Sequence, residues 1–137
     1  MNIDLLRRLC ETPGVPGREE RVRDLVTREV KGLFDTIETD PLGNLICRRE
    51  PRAGKSKKGS GGGRASQNGR KGDGPTRIMQ LCHMDEIGFY VRHIDDKGFL
   101  WLDPAGGFDP RNLFSRRVLV CTDGGDLVGV MNPGGKP

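Results

Sequence analysis

The chain has 137 residues, enough for about one domain, with a hydrophobic fraction of 34% and a net charge of +4. That charge is local: of 23 Lys/Arg and 19 Asp/Glu, seven and one fall in residues 51–75, leaving 16 basic against 18 acidic residues elsewhere. A uniformly basic surface of the kind that coats nucleic acid is therefore excluded. No stretch is apolar enough to span a membrane, and the N-terminal MNIDLLRRLCETPG lacks the apolar core of a signal peptide. A soluble, cytoplasmic protein is expected.

Taken in chain order, residues 3–11 predict a short helix with Leu5, Leu6, Leu9 and Cys10 on one face. Thr12-Pro13-Gly14-Val15-Pro16-Gly17 reads as a stiff turn. A second helix is expected from about Arg18 to Lys31. Val22, Leu25, Val26, Val30 and Leu33 recur at helical spacing, Glu19 and Glu20 suit the first turn, and Gly32 can end it. Arg21, Arg23, Asp24, Arg28 and Glu29 on the other face read as solvated charges. Strands are predicted at Thr36–Thr39 and Leu45–Arg48, joined by the turn Asp40-Pro41-Leu42-Gly43-Asn44.

Residues 51–75 contain no Val, Ile, Leu, Met or aromatic residue. They cannot bury enough apolar area to offset chain entropy, so a disordered, flexible basic insertion is expected. Its charge could attract phosphates, but no aromatic side chain offers a base a stacking surface, and a solvated loop is the preferred reading.

Thr76–Cys82 reads as a buried strand, and it delivers His83 and Asp85 to its C-terminal end. Open α/β sheets bind ligands and metals at such ends. An imidazole there can ligate a metal through one ring nitrogen. A carboxylate two residues on lies on the same side of an extended chain and can take the other N–H, fixing tautomer and orientation. His93 and Asp95 repeat the spacing, but Asp95 is better explained as a turn residue and no buried strand leads into that pair.

Beyond Asp85 the texture changes. Ile87–Ile94 and Phe99–Leu102 read as strands around the turn Asp95-Asp96-Lys97-Gly98. A loop follows at residues 104–110. Arg117–Thr122 and Asp126–Val130 read as strands around Asp123-Gly124-Gly125. Short strands at regular spacing predict a small β barrel or sandwich. Tyr90 and Trp101 fit half-buried strand positions. No two of Cys10, Cys47, Cys82 and Cys121 have C-x-x-C spacing, and the last three sit in apolar runs, where they are expected to be small core residues rather than disulfide partners.

The segments ETPGVPGREERVRDLV, DPLGNLI, CHMDEIGFYVRHIDDKGFL and PAGGFDPRNLFSRRVLV, taken together, resemble the start of the dinuclear-metal aminopeptidases. That group includes the tetrahedral and glutamyl aminopeptidases, some relatives of which carry the label endoglucanase or cellulase M. The resemblance implies an α/β catalytic domain of phosphorylase/hydrolase type, here residues 1–50 and 76–85. The start of a β-barrel-like dimerisation domain, incomplete here at residues 86–137, would be inserted after the strand bearing the first metal ligand. It further implies that His83 is that ligand and that Asp85 is the catalytic-site carboxylate orienting it. Two zinc or cobalt ions would activate a bridging water, a Glu would take its proton, and the N-terminal residue of a peptide would be released. Dimers and hollow dodecamers are the implied assemblies. The remaining ligands and the Glu would follow the β domain, beyond Pro137. The chain is thus expected to be the N-terminal portion of such an enzyme, cut short by a frameshift, a premature stop or a gene-calling error, and inactive alone. The alternatives are a non-catalytic β-domain subunit pairing with a full-length paralogue and, less favoured, a weak nucleic-acid binder acting through residues 51–75.

Overall fold

The computed structural model describes residues 2–51 and 77–132. Helix α1 spans Ile3–Glu11. Asn2 caps it: its side-chain oxygen accepts the Leu5 N–H at 3.1 Å, satisfying one of the first-turn donors that no helical carbonyl can reach. Leu5 and Leu9 turn inward and are half-buried, while Leu6 and Cys10 stay exposed. Helix α2 spans Glu20–Val30, two residues later than the sequence suggests. Glu19 is occupied in the preceding turn, where its carboxylate accepts the Gly17 N–H at 2.6 Å and Gly17 takes a φ of 81°. Val22 and Leu25, three residues apart on one face of α2, are the buried apolar residues of the described chain. Arg8 of α1 bonds Glu29 of α2 at 2.7 Å and joins the two helices.

Strands β1 (Thr36–Thr39) and β2 (Leu45–Arg48) form an antiparallel hairpin with Thr36 opposite Arg48 and Thr39 opposite Leu45. Asp40 builds its turn. The carboxylate accepts the N–H groups of Leu42 and Asn44, each at 2.9 Å, and Gly43 adopts a φ of 88° that a side chain would resist. The Arg23 Nε donates to the Gly43 carbonyl at 2.9 Å, tying α2 to this hairpin.

Strand β3 (Gly88–Ile94) pairs with β4 (Leu100–Ala105), and β5 (Arg116–Val120) with β6 (Leu127–Met131), both antiparallel. The register of β3 slips between Val91 and His93, leaving Arg92 as an extra residue in a bulge. Asp109 caps the 3-10 turn Pro110–Leu113 between the hairpins. The result is a mixture of helices and strands, as expected for an α/β chain.

Three expectations need correction. Residues 77–87 carry no regular structure, so the strand expected at Thr76–Cys82 is not formed among the described residues; Ile78, Met79 and Leu81 are all exposed. A strand exists only where a neighbour takes its backbone hydrogen bonds, and here none lies alongside. The strands form three separate two-stranded sheets, and no ladder joins them into a closed barrel among the described residues. Cys82 and Cys121 are exposed and Cys47 is half-buried, all as free thiols, because the runs that carry them have no covering layer. The segment expected to be disordered, 51–75, lies outside the described residues except for Pro51.

Candidate metal-ligand site

His83 and Asp85 meet as their spacing predicts. Nδ1 of His83 lies 2.9 Å from Oδ1 of Asp85. The His83 hydrogen bond holds the Asp85 carboxyl below the usual carboxylate range. Asp85 is therefore ionised at neutral pH and can only accept, so the proton of the contact sits on Nδ1. In the neutral imidazole this leaves the lone pair on Nε2. The His83 side chain is 92% exposed and that of Asp85 33% exposed, so this nitrogen faces open space from a ring whose rotation is restrained from behind. An imidazole backed by a carboxylate is how proteins present histidine to a divalent cation.

The pair stands on the irregular segment before β3. Glu86, the residue after Asp85, donates its N–H to the Gly14 carbonyl at 2.8 Å, and Gly14 lies against Val22 of α2: a Cβ there would come 2.7 Å from Val22 Cγ1. The segment thus hangs from the proline-rich turn between the helices rather than from a sheet.

The second candidate pair is not formed. Asp95 uses one oxygen for the N–H groups of Lys97 and Phe99, at 3.0 and 2.9 Å, and the other for the indole N–H of Trp101 at 3.2 Å. These bonds, led by that from Phe99, hold its carboxyl below the usual range. His93 has no hydrogen bond to it, and Asp95 is a turn residue. Asp109 is likewise structural. It caps the 3-10 turn and holds Arg111 through the guanidinium, with Arg111 Nη2 at 2.5 Å; the neighbouring Phe108 packs its ring at a tilt on Phe89, with centroids 4.7 Å apart.

The α2 charges are not merely solvated. Besides Arg23 on Gly43, Arg21 makes a bidentate pair with Asp126 at 2.6 and 2.9 Å, linking α2 to the start of β6. No local signal could have paired residues 105 positions apart. An open groove of about 480 Å³ bordered by Arg8, Arg21, Arg28 and Asp24 is charged and does not include His83. Among the described residues no three His, Cys, Asp or Glu converge on a metal position. The donor chemistry of His83 fits a zinc-like cation, but it amounts to one ligand.

The profile of the M42 glutamyl aminopeptidases matches residues 61–135, more than half of the chain. The putative aminopeptidase FrvX of Escherichia coli is 34% identical over 91% of this chain and 29% of its own length. The lysyl aminopeptidase of Pyrococcus furiosus is 33% identical over 93% of this chain and 31% of its own length. Among solved structures, the Pyrococcus horikoshii TET1 peptidase, which can assemble into a tetrahedron or a large octahedral shell, superposes with a TM-score of 0.71 at 33% identity, over 98% of this chain and 34% of that one. The chain therefore spans about a third of the length of these relatives. No helix of the described residues is long and apolar enough to cross a membrane. With the profile covering most of its second half and relatives a third identical along nearly all of it, the chain belongs to the M42 glutamyl aminopeptidase family.

Proposed function

We propose that this chain carries the first metal-ligand position, His83, of a metal-dependent aminopeptidase, with Asp85 as the carboxylate that orients it. The observation that carries the reading is the 2.9 Å contact between His83 Nδ1 and Asp85, which leaves Nε2 free. Family membership supplies the reaction class: hydrolysis that releases the N-terminal residue of a peptide. In this reading residues 1–50 and 76–85 belong to the α/β catalytic domain, which the basic insertion 51–75 interrupts, and residues 86–137 belong to an incomplete, inserted β dimerisation domain. The complete enzyme would take two divalent ions, zinc or cobalt, work in the cytoplasm, and assemble as dimers or dodecamers; the TET1 relative, which can form a tetrahedron or a large octahedral shell, supports an oligomer.

When bound, the cations of such a centre lower the pKa of a water and polarise the peptide carbonyl. This chain's own contribution is narrower. His83 offers Nε2, and Asp85 holds the ring and keeps the proton on Nδ1. A catalytic zinc needs about three protein ligands, so the 137 residues by themselves hydrolyse no peptide.

The test is a Co²⁺ or Zn²⁺ titration of the full chain followed by the imidazole ¹⁵N signals. Nε2 of His83 should respond at the lowest metal concentration, His93 later, and His83→Ala should remove the first response while changing stability by under about 0.5 kcal/mol, as for an exposed side chain. A first response at His93 or at the cysteines would sink the assignment. Peptidase activity of the purified chain that disappeared with His83→Ala would sink the claim that it is inactive alone.

A second reading, a non-catalytic subunit that pairs with a longer relative, is favoured by the exposed Leu127, Val128 and Val130 along β6, because an uncovered hairpin with open edges invites pairing. A melting temperature that rises with protein concentration would support it, and a concentration-independent monomer would exclude it.

A further inference from the structure

The His83–Asp85 pair stands on irregular backbone, and what holds that backbone lies 70 residues away in sequence. The turn Thr12–Gly17 grips residues 86–90 at three points. Glu86 N–H donates to the Gly14 carbonyl at 2.8 Å. Val15 packs against Gly88 so closely that a Cβ on Gly88 would lie 2.2 Å from Val15 Cγ1, inside any permissible contact. The Tyr90 hydroxyl donates to the Pro16 carbonyl. The turn is itself stiff, because Pro13 and Pro16 have fixed φ, and it is seated on buried Val22 through Gly14.

We infer that Tyr90 is a positioning residue for the His83–Asp85 pair, acting through the Gly14–Pro16 turn as one end of a bracket whose other end is Glu86. Tyr90 makes no hydrogen bond to His83 or Asp85 among the described residues. Glu86 directly follows Asp85, so a shift of the turn moves the Asp85 backbone. A displacement of about 1 Å is enough to turn a 2.9 Å hydrogen bond into no bond. The functional meaning of the bracket rests on the reading of His83 as a metal ligand; its existence does not.

The experiment uses the ¹⁵N-labelled full chain without metal, at a pH where imidazole is neutral. Three readouts are the exchange rate of the Glu86 amide, the ring ¹⁵N shifts of His83 that report the Nδ1–H tautomer, and the thermal midpoint. Tyr90→Phe keeps the ring and removes the hydroxyl. It should speed Glu86 exchange about fivefold and move the His83 ring shifts toward a mixture of tautomers, while amides of β1 and β2 keep their rates. Gly88→Ala should do the same more strongly, and Val15→Ala in the same chain should restore both readouts, because it removes the atom that the new methyl strikes. Wild-type values of both readouts in Tyr90→Phe overturn the inference, as does a Gly88→Ala defect that Val15→Ala leaves unchanged. A tautomer that shifts only in step with the thermal midpoint also overturns it, since that is general loosening. Neither readout involves metal. A working bracket on a His83 that binds no cation would uphold the bracket and overturn the ligand assignment, and the reverse result would do the opposite.

Discussion

Val22 and Ile78 are both β-branched apolar residues in runs that read as buried, yet Val22 keeps 4% of its surface and Ile78 keeps 89%. The difference lies in what each meets. Val22 sits on an amphipathic helix whose covering surface comes from the preceding stretch of chain, the Thr12–Gly17 turn, with Gly14 set against it. Residues 78–81 lie in an irregular segment with no strand paired alongside them among the described residues. A strand buried on both faces is only as real as the helices that cover it, whereas a helix brings its own hydrogen bonds and needs one partner. Apolar patterning therefore states a demand for burial, and local topology decides whether the demand is met.

The largest test of this contrast is a pair of truncations. Leu25, 6% exposed, should lose about 2–4 kcal/mol when changed to Ala, the transfer and cavity cost of a buried leucine. Ile78→Ala should change stability by under about 0.5 kcal/mol, as for an exposed side chain. Urea midpoints at unchanged slope measure both. Equal losses would mean that Ile78 is covered in solution and would break the comparison.

The same contrast explains which features were legible in the sequence. Helix α1 and strands β1 and β2 fall within their predicted bounds because their signals are local: an Asn2 cap, and Asp40 closing its turn on Leu42 and Asn44. The His83–Asp85 contact was legible because residues two apart are held close by the chain itself, although the strand expected to carry them is not formed. The strand at Thr76–Cys82 and the core cysteines were misjudged because their burial depends on layers that apolar composition cannot supply. The charged face of α2 was read as solvated because its partners, Gly43 and Asp126, are distant in sequence. The bracket around Glu86 was hidden likewise: Gly14 and Gly88 each read as turn or strand glycines until the fold sets Val15 against Gly88.

A mid-sized effect sharpens the picture on the packed side. Arg23 is half-buried and its Nε bonds the Gly43 carbonyl at the tip of the β1–β2 hairpin. Arg23→Met keeps much of the aliphatic stem and removes the donor, leaving that carbonyl without this partner. A loss of about 1–2 kcal/mol is expected, with faster amide exchange at Gly43 and Asn44 and no change in β3 or β4. Exchange that rose everywhere would show that the hairpin tip and the rest of the chain open as one unit, and that the two regions are not independent.

The smallest effect lies at the seam. Arg21 and Asp126 form the bidentate pair that joins α2 to β6. Both are partly exposed, so solvent screens the pair and Asp126→Asn should barely move the melting temperature. Its pH dependence is still diagnostic. The hydrogen bond from Arg21 holds the Asp126 carboxyl below the usual carboxylate range. Its contribution is therefore fully present above the ordinary Asp value of about 3.9 and is lost as pH falls through the lowered folded value. Between pH 8 and 5 the small stability difference between wild type and Asp126→Asn should stay constant, and below about pH 4 it should close. Amide shifts of Leu127 and Val128 should follow the same course. A difference that closed between pH 7 and 6 would assign the seam to an imidazole instead. Shifts that ignored Asp126→Asn altogether would mean that β5–β6 takes its place beside α2 without the ion pair, through backbone connection alone.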